Sequence, residues 1–371
     1  MTDNRADLNQ LILMLGEGGI RETIPSKLHK FDESAIKPLL DALQNPDEEL
    51  RLGAVWAIGQ VNNSLLGASL GPLAIEPLVN LLQSDPSARV RLQALKTLAL
   101  IAGSTHRDML NTAFITALAD SSDVIRAEAA RWLGQYRSEP ALDALRDLLL
   151  NDSSDKARSR AAYALAYIEP ALGTLAATGT VGIEALLTAL SDSERSVRLR
   201  AIWALGKLKS AGAIRSLANI LESDSPNYHE KQMAAEALGN IGDPSTVEPL
   251  VSALQFDRHE GVRCAAAEAL GKLGDLRSLH FLIHTLHNDV VPAVRASAAK
   301  ALEDLGTSNA SDALLIALND SSPDVLFRVV QALQVVGDSR AIEPLNQLIA
   351  DEKSGKLLRQ AAERAVEALN R

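Results

Sequence analysis

Three groups of side chains in this 371-residue chain have types and spacings that could do chemistry. His280, His284 and His287 stand at i, i+4 and i+7, so a helix would bring three imidazoles to one face, a set compatible with zinc. His229-Glu230 and His259-Glu260 twice join a nitrogen ligand to a carboxylate. Trp56, Tyr163 and Trp203, with Arg131, Arg160 and Arg200, are the residue types that anchor interfaces. Other catalysis has no foothold, because the chain lacks a Gly-rich phosphate loop, a Gly-x-Ser-x-Gly elbow and a Cys-x-x-Cys pair. Its single cysteine, Cys264, falls in a slot filled elsewhere by Leu52, Leu92 and Leu199, which predicts burial or partial burial rather than nucleophilic work. No catalytic residue is predicted.

The elements that must carry these residues repeat. The phrase Val197-Arg198-Leu199-Arg200-Ala201-Ile202-Trp203-Ala204-Leu205-Gly206 returns ten times, with Arg at 51, 91, 126, 158, 198, 263, 295 and 359 and with Lys231 and Leu326 in the remaining slots. Successive slots lie 40, 35, 32, 40, 33, 32, 32, 31 and 33 residues apart, the mark of a tandem array whose units bury their apolar faces by stacking. Each unit reads as two helices. In 74–83 the apolar residues Ile75, Leu78, Val79 and Leu82 have amphipathic spacing, and Pro77 suits a first turn. Pro38 and Pro344 stand in the same phrase. Gly242-Asp243, Gly274-Asp275 and Gly337-Asp338 predict a left-handed glycine that ends one helix and an aspartate that caps the next.

The predicted fold is all-α, a right-handed α-solenoid of about ten helical hairpins forming one domain over 1–371. Residues 1–33 are expected to form an irregular cap, 34–358 the repeats and 359–371 a capping helix. Aromatics make up only 3% of the chain, in keeping with Ala and Leu filling close helix contacts. A net charge of −10 argues against sequence-independent nucleic-acid binding, which needs cations for phosphates. No run approaches the roughly 20 apolar residues of a membrane span, and the polar start has no signal-peptide pattern. The expectation is a cytoplasmic protein, monomeric alone.

Asp85, Asp120, Asp152, Asp192, Asp257 and Asp289 each precede their Arg by six residues, which places them in the turn between helices. Such a carboxylate can cap a helix and meet an Arg of its own or the next unit, so the pair reads as stacking glue. Leu326 interrupts the series. Function is sought where the units differ. Three residues before the closing Gly or its equivalent stand Trp56, Lys96, Arg131, Tyr163, Trp203, Glu236, Glu268, Lys300, Gln331 and Arg364. A slot that takes both signs of charge is exposed. Second helices line the inner surface of such arrays, so this slot is expected to trace a concave groove, with Leu52 and Leu199 one turn before Trp56 and Trp203. The long intervals carry Gly-rich insertions at 62–73 and 170–181, each either a cover for the nearby aromatic or a lip to the groove. The three histidines align with Glu76, Asn80 and Gln83, the outward face, which makes a solvated surface the simpler reading.

The phrase Asp338-Ser339-Arg340-Ala341-Ile342-Glu343-Pro344-Leu345, with the inner helix from Val262 to Asp275, resembles the HEAT-like repeat of the phycobilisome lyase family. The resemblance covers 34–370 and implies two readings of function. One is a non-catalytic scaffold without cofactor, whose groove (Trp56, Arg131, Tyr163, Arg160, Trp203, Arg200, Leu52 and Leu199) holds a protein or peptide, a phycobiliprotein among the partners. The other is a bilin lyase or chaperone that stacks a tetrapyrrole on the aromatics and pairs its propionates with the arginines. Deoxyhypusine hydroxylase, a HEAT-repeat enzyme, holds two irons with His-Glu pairs directly before Ala-Ala-Glu-Ala-Leu-Gly. Here Gln232-Met233 and Cys264-Ala265 occupy those places, so a di-iron site is not expected.

Overall fold

The computed structural model describes residues 2–17, 24–28, 31, 34–61, 65–101, 106–168, 179–224, 227–351 and 354–370. Among them there are no strands, and ten helical pairs follow one another, from Ile36–Ala42 with Glu48–Gln60 to Ile342–Ala350 with Lys356–Leu369. The fold is the all-α solenoid of helical hairpins that the spacing predicts. The chain divides into two compact units, Met1–Val197 and Arg198–Arg371. The boundary falls inside the helix Arg195–Lys207. No helix among the described residues is long and apolar enough to cross a membrane.

Small residues set the packing. In Glu260–Leu273, Ala265, Ala266, Ala267, Ala269 and Gly271 are buried beside Val262 and Leu270, so the backbone itself approaches its neighbours. Helix ends follow the predicted grammar in the second unit. Gly242, Gly274 and Gly337 have φ of 78°, 67° and 77°, and Asp243, Asp275 and Asp338 accept the amide two residues on. Gly306 and Thr307 repeat the device. Arg137 and Lys209 adopt the same left-handed backbone without being glycine, both at φ 51°.

From residue 65 onward the first insertion is helical. Residues 65–73 form the front half of one helix, Leu65–Ser84, with Leu70 and Ala74 fully buried. Their apolar residues continue the helical period, so the helix starts earlier than the Pro77 phrase suggests. Pro72 and Pro77 therefore lie inside the helix, whereas Pro38 and Pro344 do sit in first turns. Residues 62–64 and, from the second insertion, 170–178 lie outside the described residues; 179–181 open the helix Gly179–Ala189. In the N-terminal cap, Leu15 is buried and packs directly against Gly53. At the other end, the capping helix is the second half of a regular pair, Lys356–Leu369, with Leu358, Ala362 and Ala365 buried.

The recurrent arginines join neighbouring pairs. Arg51 donates through Nε and Nη2 to Asp85 at 2.7 and 3.1 Å, Arg126 to Asp152 at 2.6 and 2.8 Å, and Arg263 to Asp289 at 2.7 and 3.0 Å. Arg91–Asp120, Arg158–Asp192 and Arg295–Asp320 are built alike. Each partner is the aspartate of the following turn, which resolves the choice between own and next unit. The remaining nitrogen secures the Arg's own turn, as in Arg126 Nη1 to the Asp120 carbonyl at 2.8 Å. The aspartate also accepts a backbone amide, as Asp152 does from Ser154 at 2.7 Å. Burial pushes the Asp120 carboxyl up, but hydrogen bonds from Arg91 and the Ser122 amide outweigh it and hold the group below the ordinary range. At Asp320 the Arg295 hydrogen bond dominates and acts in the same direction.

One rung is improvised. The slot six before Lys231 has no aspartate, and Arg198 instead pairs with Glu230, from the next helix, at 2.8 Å. Lys231 then reaches Asp257 at 3.1 Å.

Candidate interaction surface

Second helices carry the varied slot, and each compact unit presents its own stretch. In the first unit Trp56 is half-buried, while Leu52, one turn earlier, is buried and offers little surface. Lys96 is exposed and Leu100, four residues on, is 57% exposed. Arg131 lies 4.3 Å over the ring of Trp132 and pairs with Glu128, which also accepts the indole N–H at 3.1 Å. Trp132 leans on Tyr136 at 5.8 Å, and Tyr136 stacks on Phe114 at 6.1 Å. Tyr163 is half-buried and packs on Tyr167 at 4.7 Å, with Arg160 half-buried one turn away.

In the second unit Trp203 has Arg200 at 5.2 Å and Lys207 at 5.1 Å from its ring, both within cation–π reach. Leu199 is half-buried. The next slots turn acidic: Glu236 accepts from Gln232 at 3.2 Å and Glu268 is exposed. Lys300 is held by Glu303 and Asp304 at 3.0 and 2.7 Å.

Trp132, Tyr136, Tyr167 and Lys207 escape the sequence reading. Trp132 occupies a place that is alanine in most units, so alignment files it with the core; its bulk was the only signal.

The metal candidates take other roles. Glu230 is committed to Arg198, and the His259 Nδ1 accepts the Gly261 amide at 3.2 Å, capping its helix. His259 also stacks on Tyr228 at 3.7 Å, beside a cavity of about 770 Å³ that Phe256 and Arg258 help to line. His280, His284 and His287 are all exposed. Among the described residues no group of three or more His, Cys, Asp or Glu could hold a metal ion. Cys264 is half-buried, and burial pushes its thiol up, away from thiolate reactivity.

The sequence profile of HEAT repeats matches residues 20–99, 75–166, 171–229, 214–303 and 281–367. The chain belongs to the HEAT-repeat family. A HEAT repeat-containing taxis protein of Halobacterium salinarum is 31% identical over 140 residues, 33% of this chain and 32% of that protein. Deoxyhypusine hydroxylase of Saccharomyces cerevisiae is 27% identical over 129 residues, 34% and 40% of the two chains. These matches therefore span well under half of either relative.

Among solved HEAT structures, importin beta is similar over 99% of this chain and 56% of its own, with 14% identity and a TM-score of 0.69. The karyopherin Kap121p bound to the extreme C-terminus of the phosphatase Cdc14p covers 91% and 42%, with 14% identity and a TM-score of 0.64. Both share the fold. The CpcE–CpcF phycocyanin lyase complex from Nostoc, at 22% identity over 70% of this chain and 94% of its own, reaches a TM-score of 0.40, too low to bear on fold or function.

Proposed function

We propose that this HEAT-repeat protein is a non-catalytic scaffold that holds a protein or peptide partner on its second-helix face. One observation carries the reading. The rung cations from Arg51 to Arg295 meet carboxylates, whereas on the second-helix face of the first unit, which also carries the half-buried Trp56, Trp132 and Tyr163, Lys96 and Arg160 have no such partner among the described residues. Repeated residues serve the stack, and unrepeated, unsatisfied ones are left for a ligand. Trp56, Tyr163 and Trp203, with Arg131, Arg160, Arg200 and Leu199, supply the aromatic and guanidinium anchors typical of interfaces. The solved complex of Kap121p with a protein C-terminus is a precedent on the same fold.

The resemblance of the repeat phrase makes an apo-phycobiliprotein the first partner to try. Photo-crosslinking groups placed at Trp56, Tyr163 and Trp203 should capture the partner, and the same groups at His280, His284 and His287 should not. Trp203→Ala should weaken binding by about 2 kcal/mol with little change in melting temperature. A large melting loss, or capture from the histidine face, would refute the assignment. A visible absorption change on adding phycocyanobilin alone would point instead to chromophore handling.

A further inference from the structure

At four junctions the second helices of neighbouring pairs meet through the same small-residue contact. Gly134 faces Ala164, Gly206 faces Ala237, Gly239 faces Ala269 and Gly271 faces Ala301. A Cβ on any of these glycines would lie 2.6 to 2.8 Å from the alanine opposite, so neither side can grow without moving a helix. Elsewhere the pair varies on one side at most, with Thr97 opposite Gly59 and with Ala166, Glu303 or Gln334 in the glycine's place; at one junction, inside the first unit, the glycine's place holds Ala99 and the alanine's holds Trp132, an aromatic found in that place at no other repeat. An indole cannot enter a gap built for a methyl group. The helices Ala88–Ile101 and Asp123–Gln135 accordingly meet less extensively than either does its other second-helix neighbour. Tyr136 spans the opening, its hydroxyl donating to the Ala99 carbonyl at 2.9 Å, and burial pushes that phenol's pKa up.

Resting on the second-helix face as the partner surface, we infer that this opened junction anchors an acidic segment of the partner, whose apolar side chain packs against Trp132 and Leu100 while its carboxylates pair with Lys96 and Arg160. Charge selects this occupant. Lys96 precedes the junction and Arg160 follows it, each without a carboxylate among the described residues. The acid that faces the indole, Glu128, is already taken by Arg131 and the indole N–H. In a chain of net charge −10, a stretch this short of carboxylates is selective for anions. The half-buried indole supplies the apolar contact, under a guanidinium that holds its ring in place.

The test uses the full chain and fluorescein-labelled 12-residue peptides, each with one central Leu, Phe or Trp flanked by glutamates, beside counterparts flanked by lysines. Anisotropy should show an acidic peptide binding at least tenfold tighter than its lysine counterpart, with affinity falling as salt rises. Lys96→Glu with Arg160→Glu should abolish binding. Because Trp132→Ala alone could disturb the fold, it is paired with Ala99→Gly, which restores the small-residue contact. That closed variant should melt no lower than wild type and lose at least tenfold in affinity. Equal binding of acidic and basic peptides, binding of neither, or undiminished binding by the closed variant overturns the inference. Partner capture at Trp203 that persists in the closed variant would leave the scaffold reading standing while this anchor falls.

Discussion

Arg158 and Arg160 lie two residues apart on one helix and meet opposite circumstances. Arg158 points into the turn edge, where it forms two hydrogen bonds with Asp192 at 2.8 and 2.9 Å and a third with the Asp152 carbonyl. Arg160, rotated some 200° around the helix axis, has no carboxylate partner among the described residues. The first arrangement recurs rung after rung with little variation in geometry, and the second changes from unit to unit. A solenoid thus separates its two tasks by helix face: the residues that must repeat to stack the units are satisfied internally, so variation on the other face costs little stability.

That division is broken most severely at a rung. Arg126→Ala leaves the nearly buried Asp152 carboxylate without its guanidinium and should cost about 3 kcal/mol, read as a shift in denaturant midpoint. Arg146→Ala, which removes exposed pairs with Asp143 and Asp147, should change stability by less than about 0.5 kcal/mol. A comparable loss from both would erase the distinction between rung and surface.

Acid tests the same edge more broadly. Asp120, Asp152, Asp289 and Asp320 are all held below the ordinary carboxylate range in the folded protein. Their contribution is present above about pH 4, the unfolded value, and is lost as the pH falls through the lower folded values. Melting temperature should drop between pH 5 and pH 2, roughly, and Asp152→Asn, already destabilised at neutral pH, should show a shallower drop. The smallest effect lies at a helix end. Lys209→Gly relieves a left-handed residue at φ 51° and should raise stability by up to about 1 kcal/mol, leaving partner binding unchanged.

Much of the stacking was legible in the sequence because stacking repeats. The six-residue offset of Asp and Arg, the Gly-Asp junctions and the helix periods are all periodic signals, and each matches a contact in the structure. Direction was not legible, since Asp152 lies within plausible reach of either Arg126 or Arg158 until the turns are placed. Glu230 went unseen because it reaches Arg198 from a helix rather than from the turn. Pro77 misplaced a helix start, because buried Leu70 and Ala74 extend the apolar face past a residue that usually opens a helix. Trp132 was hidden by the repeat itself, because it stands in a place that most repeats fill with alanine.

Leu326 stands where the next guanidinium would be, and so brings no cross-link to the turn at Asp351. Rungs make the unfolding of one pair felt by its neighbour; a missing rung loosens that cooperativity. The pair from Ile342 to Leu369 therefore lacks the arginine clamp that the earlier pairs receive, and it should fray first in amide hydrogen exchange, well before the pairs around Asp289. The tail of such an array behaves as a separately melting segment, able to open and close while the clamped rungs before it stay folded.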